Sequence, residues 1–339
     1  MRVFVNGYGT IGRRVADAVR RQRDMELVGV GKTKPDYKAK MAASRGIRVY
    51  VPSEKEVEAF SRAGVEVAGT IKEGITSADL VIDATTDGMG AKNAALYKEA
   101  GKPAVFQGGE KPEVAEVSFV AECNYDASAG RRYVRVVSCN TTGLCRVIIA
   151  LRKGLELEAA RVVIARRAAD PEEVSKGPIN AVVPDPIAVP SHHADDVRTV
   201  IPDFDVVTMA YKVPNTQVHL HTFIGRSRRG GLKRDDVIEA LASSERILLV
   251  EGSHGVKSTA SVLELAREAG RPRSDLYEVA VWRDSIYTSG NEVMFFMAVH
   301  QEAIVVPENV DAVRAVLRAA SARESIRATN ASLGIPLRI

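Results

Sequence analysis

The sequence predicts a doubly wound α/β unit on a parallel sheet, followed by an α+β unit built on a mainly antiparallel sheet. Three observations carry this. Short apolar runs alternate with helical stretches over the first part of the chain. A glycine-rich turn follows the first of those runs and precedes a helical stretch. Past about residue 157 the apolar runs lengthen and are joined by shorter connections, the pattern of an antiparallel sheet covered on one face.

The elements follow in order. Val3–Val5 reads as a strand, Arg13–Arg20 as an amphipathic helix and Leu27–Val30 as the next strand. Leu80–Ile82 and Ala104–Phe106 are buried strands with a helix over Ala91–Ala100 between them, and Tyr133–Val137 closes the unit. Leu144–Leu151 looks helical. Ala160–Ala165, Val206–Val213, Gln217–Ile224, Leu276–Trp282 and Val293–His300 are the strands of the second sheet. A proline-rich loop is expected over about 174–204, and loops of that length are usually functional. Residues 308–321 read as a helix returning to the first unit. The expected division is 1–138, 139–303 and a C-terminal segment 304–339. A chain of 339 residues exceeds a typical single core, which agrees with two domains.

Composition narrows the function classes. Hydrophobic residues make up 45% and charged residues 27%, ordinary for a soluble enzyme. No apolar stretch reaches the roughly 20 residues that span a bilayer, and the first residues read as a strand, so no membrane partner and a cytoplasmic location are expected. The net charge of +4 is no nucleic-acid signature. The densest basic stretch, Arg226–Arg234, reads as a solvated turn or subunit contact. Cys123, Cys139 and Cys145 are too few for a disulfide framework and lack zinc-site spacing, so no metal is expected.

Gly7-Tyr8-Gly9-Thr10-Ile11-Gly12 matches GxGxxG between a strand and a helix, the context a Rossmann-type dinucleotide site requires. Gly7 permits a tight turn, Gly9 lets backbone approach a pyrophosphate, and Gly12 lets helix and strand pack closely. The helix N-terminus offers free N–H groups to the phosphates. An acidic residue about 20 positions further on would bond the ribose of NAD. That window holds Lys32, Thr33 and Lys34 and no carboxylate, which points to NADP as accepted and preferred over NAD.

Cys139 stands at a strand-to-helix turn, where the helix dipole and unpaired N–H groups lower a thiol from about 8.5 into a range of roughly 3.5–7.5. The same N–H groups could stabilise an oxyanion. Cys145 falls on the helix body and reads as packing; Cys123 has no comparable setting. A thiolate nucleophile needs a base. His219 and His221 lie two apart in a strand and share one face, while His192 and His193 sit in the proline-rich segment. Spacing alone does not choose among them.

Asn6–Arg14, Phe106–Lys111, Ser138–Gly143, Arg166–Pro171, Ser191–His193, His219–His221 and His300–Glu302 together resemble the archaeal-type phosphorylating glyceraldehyde-3-phosphate dehydrogenases, in order and over nearly the whole chain. The order Ser-Cys-Asn-Thr-Thr is similar to that of the archaeal branch. The resemblance implies Cys139 as nucleophile and His219 as catalytic base. It implies Ser138, Asn140, His192 and His193 as substrate contacts, and Thr10, Ile11, Gly109, Arg167 and Gln301 as cofactor contacts. Arg166 and Arg167 offer guanidinium forks suited to a substrate phosphate. The implied reaction converts glyceraldehyde 3-phosphate, inorganic phosphate and NAD(P) to 1,3-bisphosphoglycerate through a Cys139 thioester, in a homotetramer whose interface loop is 174–204. Other thiol-dependent semialdehyde or acyl-phosphate reductases are the nearest rivals, and they lack the Arg-Arg and His-His set. A dinucleotide-sensing regulator would need the glycine turn but neither Cys139 nor His219.

Overall fold

A computed structural model of the chain describes residues 1–107, 109–170 and 173–337. In chain order, the first part holds β1 (Arg2–Asn6), α1 (Gly12–Arg20), β2 (Glu26–Gly31), α2 (Tyr37–Ser44), β3 (Val49–Val51), α3 (Val57–Arg62), β4 (Val67–Thr70) and α4 (Ile71–Ser77). It continues with β5 (Leu80–Asp83), α5 (Met89–Glu99), β6 (Ala104–Gln107), β7 (Val117–Phe119), α6 (Ala121–Asn124) and β8 (Tyr133–Val136). Then come α7 (Cys139–Leu155), β9 (Leu157–Arg167), β10 (Val183–Pro184), α8 (His192–Arg198), β11 (Asp205–Val213), β12 (His219–Ser227) and α9 (Arg234–Ala242). The rest is β13 (Ile247–Val250), α10 (Thr259–Glu268), β14 (Val279–Trp282), β15 (Tyr287–Ser289), β16 (Glu292–Val299), α11 (Val306–Val316) and α12 (Ala322–Leu333).

The chain divides into two compact units. One comprises Met1–Ser138 with Val305–Leu333, the other Cys139–Ile304 with Gly334–Ile339. In the first, eight strands form one sheet in the order β4-β3-β2-β1-β5-β6-β8-β7. Every pairing in it is parallel. The strand order reverses between β1 and β5, and ligands of such sheets bind at the carboxyl ends of the strands at that reversal. Phe4, Tyr50, Ile75, Val81, Tyr97 and Phe106 are among the residues that pack one core of this unit. Every residue of α11 is buried. Its polar side chains are spent inside the unit. Glu308 Oε2 accepts the Ala121 backbone N–H at 2.6 Å, and Arg314 donates to Asp24, Gln22 and Thr329.

The second unit carries an eight-stranded sheet, β10-β11-β9-β12-β16-β14-β13, with β15 beside β16. Most pairings are antiparallel, but β9–β11 and β13–β14 are parallel, so the sheet is mixed. The expected loop over 174–204 is not all loop: it contains the short strand β10 and the helix α8. Leu248, Val262, Leu276 and Trp282 pack a core that also takes in Leu337 from the end of the chain. Leu337 N–H donates to Glu278 Oε1, and the same carboxylate oxygen pairs with Arg271.

Candidate active site

The glycine turn leaves β1 at the strand reversal of the first sheet. Gly7 has φ +99°, and a Cβ there would meet the Ala84 carbonyl oxygen at 2.6 Å. A Cβ on Gly12 would meet the Gly7 carbonyl at 1.9 Å. These two glycines are required by the protein's own packing. Gly9 differs, because a Cβ there would meet nothing within 4 Å. Its lack of a side chain leaves open space, which is the cradle a pyrophosphate needs. Beneath the turn, buried Asn6 Nδ2 donates to Tyr97 Oη at 2.8 Å, and Tyr97 donates to Asp83 at the end of β5. These bonds tie the two strand ends on either side of the reversal.

At the end of β2, Lys32 is not free. Its Nζ bonds Asp36 Oδ2 at 2.6 Å, and Asp36 also caps α2 by accepting from Lys38 and Ala39 N–H. Thr33 and Lys34 are exposed beside it. Gly109 is exposed, and Gly108 of the same motif lies outside the described residues.

In the second unit Cys139 is the first residue of α7 and part-buried. Its sulfur lies 3.5 Å from His219 Nε2. His219 Nδ1 accepts the Arg167 backbone N–H at 2.9 Å. That bond fixes the tautomer: the ring carries its hydrogen on Nε2, aimed at the sulfur. An imidazolium would turn a second N–H against the Arg167 amide, so the resting ring is neutral. Burial drives the same result, holding His219 well below the usual imidazole range, with the charges of His221, Arg167 and Arg166 adding to it. The thiol departs from expectation. Burial pushes it up to about 11, although the Arg167 and Arg166 guanidiniums and the Asn140 backbone N–H pull the other way. The helix start does act on the sulfur, but loss of water around it outweighs that help.

The residues expected to contact substrate separate into two groups. Ser138 is part-buried and His192 exposed, whereas Asn140 and His193 are buried. Asn140 contacts His193 Nε2 through its Nδ2 at 3.2 Å and His221 Nε2 through its Oδ1 at 2.9 Å. The other nitrogen of His193 meets Ser191 Oγ at 3.1 Å. The side chains of Asn140 and His193 therefore bond one another, with His221 on one side and Ser191 on the other. His192 remains, its ring 4.0 Å from that of His193 and its imidazole lowered by burial and by Arg166.

The two arginines also differ. Arg166 is part-exposed and pairs with Asp185, which Lys212 approaches at 3.5 Å from the neighbouring strand position. Arg167 is buried and bonds Asp170, with Glu302 at 3.8 Å; Glu302 in turn bonds His300 at 2.9 Å. Its guanidinium is thus committed to carboxylates. Gln301 lies part-buried in the turn that carries Glu302. Sequence reasoning missed Ser191, Thr208, Asp185, Lys212 and any role for His221 beyond sharing a face with His219. Among the described residues no cluster of three or more His, Cys, Asp or Glu could hold a metal ion, and no helix is long and apolar enough to cross a membrane.

Comparison with known proteins bears on both units. A family profile described as glyceraldehyde 3-phosphate dehydrogenase, C-terminal domain, matches residues 138–285. One described as dihydrodipicolinate reductase, N-terminus, matches residues 1–118. The chain is 52% identical to a glyceraldehyde-3-phosphate dehydrogenase of Sulfurisphaera tokodaii over 99% of its own length and 97% of the relative's. It is 53% identical to those of Metallosphaera sedula (99% and 98% covered) and Hyperthermus butylicus (99% and 97%).

Proposed function

Because the chain belongs to the glyceraldehyde-3-phosphate dehydrogenase family, we propose that Cys139 is its nucleophile and that His219 is the group exchanging a proton with the substrate oxygen. The enzyme is an oxidoreductase that oxidises and phosphorylates glyceraldehyde 3-phosphate with a nicotinamide dinucleotide. The observation that carries the residue assignment is the 3.5 Å approach of the Cys139 sulfur to the hydrogen-bearing nitrogen of His219.

The Cys139 thiol gives its proton to solvent, and the thiolate sulfur attacks the aldehyde carbon, forming a C–S bond and an oxyanion. His219 shares its Nε2 hydrogen with that oxyanion and reclaims it as the carbonyl re-forms. Bound cofactor supplies the hydride acceptor. The result is a thioester on Cys139, and the covalent intermediate divides one hard step into two. Inorganic phosphate attacks the thioester carbon, the C–S bond breaks, and 1,3-bisphosphoglycerate leaves with Cys139 restored as thiolate. Arg166 and His192 are the groups we assign to the substrate phosphate, with Ser138 beside the nucleophile; Arg166 must then exchange Asp185 for the ligand. A spectrophotometric assay with and without inorganic phosphate tests the reading. Turnover should require phosphate, and equal rates without it would mean a non-phosphorylating oxidation.

Gly7, Gly9, Thr10, Ile11 and Gly12 would hold the pyrophosphate, an assignment favoured by the open space above Gly9. Gly109, Gln301 and the backbone of Arg167 complete the contacts we assign. Lys34 and Thr33, with Lys32 if Asp36 releases it, suit a 2′-phosphate, so NADP should be preferred. A higher kcat/KM with NAD would overturn that preference. The enzyme is assigned to the cytoplasm. The exposed apolar side chains Ile179, Val182, Ile187 and Val189 in the 174–204 segment, with Met209 and Phe296, favour a homotetramer. Light scattering that returned a monomer's mass would exclude it.

A further inference from the structure

A continuous run of buried hydrogen bonds lies under the nucleophile. His221 Nε2–H donates to Asn140 Oδ1, and Asn140 Nδ2 donates to His193 Nε2. His193 Nδ1–H then donates to Ser191 Oγ. Ser191 Oγ–H donates to Thr208 Oγ1 at 2.7 Å, and Thr208 Oγ1–H ends the run on the Ser191 carbonyl at 3.1 Å. The direction follows from its ends, because an amide nitrogen only donates and a backbone carbonyl only accepts. His221, His193, Asn140, Ser191 and Thr208 are all buried. The run joins β12, the first turn of α7, α8 and β11.

Two features separate this from ordinary packing. His221 Nδ1 is buried with no hydrogen-bond partner among the described residues, a cost that an apolar side chain of similar volume would avoid. The imidazole is therefore held by what its other nitrogen does, which is to grip Asn140. Asn140 in turn follows Cys139 directly in the first turn of α7, and its backbone N–H is one of the groups that pull the thiol downward. Both ends of its side-chain amide are clamped, from β12 and from α8, so its backbone cannot rotate away from that sulfur without breaking two buried bonds.

We infer that His221 is a positioning residue of the reaction: by holding the Asn140 side chain it fixes the first turn of α7, and so the backbone N–H that faces the reacting sulfur. The inference rests on Cys139 being the nucleophile. His221 itself touches neither the sulfur nor, in this scheme, the substrate.

Three variants test it. His221→Leu removes the donor and keeps most of the volume. His221→Gln keeps an N–H at about the position of Nε2. Asn140→Ala removes the clamped amide but leaves the backbone N–H in place. His221→Leu should lower kcat by between about 10- and 100-fold, the scale of a small misplacement of reacting groups, with little change in KM. It should also move the pH profile of Cys139 alkylation by iodoacetamide upward. His221→Gln should recover most of both. Asn140→Ala should match His221→Leu, and the double variant should add little to either. Wild-type kcat and alkylation profile in His221→Leu would overturn the inference. So would a His221→Gln variant as impaired as the leucine one. If His221→Leu does not fold, an Asn140→Ala variant with wild-type kcat and alkylation profile overturns it just as well. A failure of the nucleophile assignment is seen separately, as activity retained in Cys139→Ser.

Discussion

The two units perform their tasks with opposite materials. In the first, the dinucleotide turn works through missing side chains: three glycines, two of them forced by packing and one leaving room for a ligand. In the second, the site works through side chains drawn from α7, α8, β11 and β12, most of them buried. The first arrangement is local in sequence and forgiving in charge. The second is assembled from distant segments, and its chemistry depends on which nitrogen of each ring holds a hydrogen. A backbone site tolerates change except at its own glycines, whereas a side-chain site transmits a change at one member to the others.

The sharpest break of this comparison is Cys139→Ser, which should lower oxidation by at least about 10⁴-fold, the scale seen when a nucleophile acting within a unit is removed. Cofactor binding, carried by the other unit, should survive, and titration of the variant with NADPH fluorescence checks this. His219→Asn comes next, with a loss in kcat on the order of 10²–10⁴-fold, read in steady-state kinetics. A matched pair then separates the two kinds of glycine. Gly9→Ala should leave Tm unchanged and weaken cofactor binding by about tenfold, or about 1.4 kcal/mol. Gly12→Ala, with its Cβ driven into the Gly7 carbonyl, should instead destabilise the unit by about 1–3 kcal/mol. Equal melting temperatures for the pair would erase the distinction.

The smallest effect concerns acid. Burial holds His193 down to about 2 and His221 down to about 3, whereas an unfolded histidine titrates near 6.5. Below pH 6.5 the unfolded chain therefore binds more protons than the folded one at these positions. The stability they contribute is present above that pH and is lost as the pH falls below it. All six histidines lie between residues 192 and 300, within the second unit. Hydrogen exchange at pH 6.5 and 4.5 should show α7 and β12 losing protection while β1 and β5 keep theirs. Parallel losses in both units would contradict this.

The same contrast explains what was legible in the sequence. The glycine turn reads as one contiguous motif with a strand before it and a helix after it, and the fold class followed from it. Strands such as β3, β4 and β7 are only three or four residues long and carry no periodic signal, so both edges of the first sheet stayed invisible. The pleat made it plain that His219 and His221 share a face, but choosing His219 as base needed the family resemblance. Asn140 meets its partners 53 and 81 positions away, contacts no local spacing announces. The thiol was misjudged for a related reason. A helix start can be seen in a sequence; the exclusion of water around a sulfur cannot.

The wholly buried α11 has a consequence for how the molecule comes into being. A ribosome emits the glycine turn first, yet the helix that completes that sheet's packing, with Glu308 and Arg314 as its anchors, is encoded after Cys139–Ile304, the bulk of the catalytic unit. The nascent nucleotide domain must therefore wait, with the β6 and β8 region uncovered, until translation is almost finished. Synthesis order and folding order are decoupled here, and a ribosome stalled before residue 305 would display a half-built domain to the cell's chaperones.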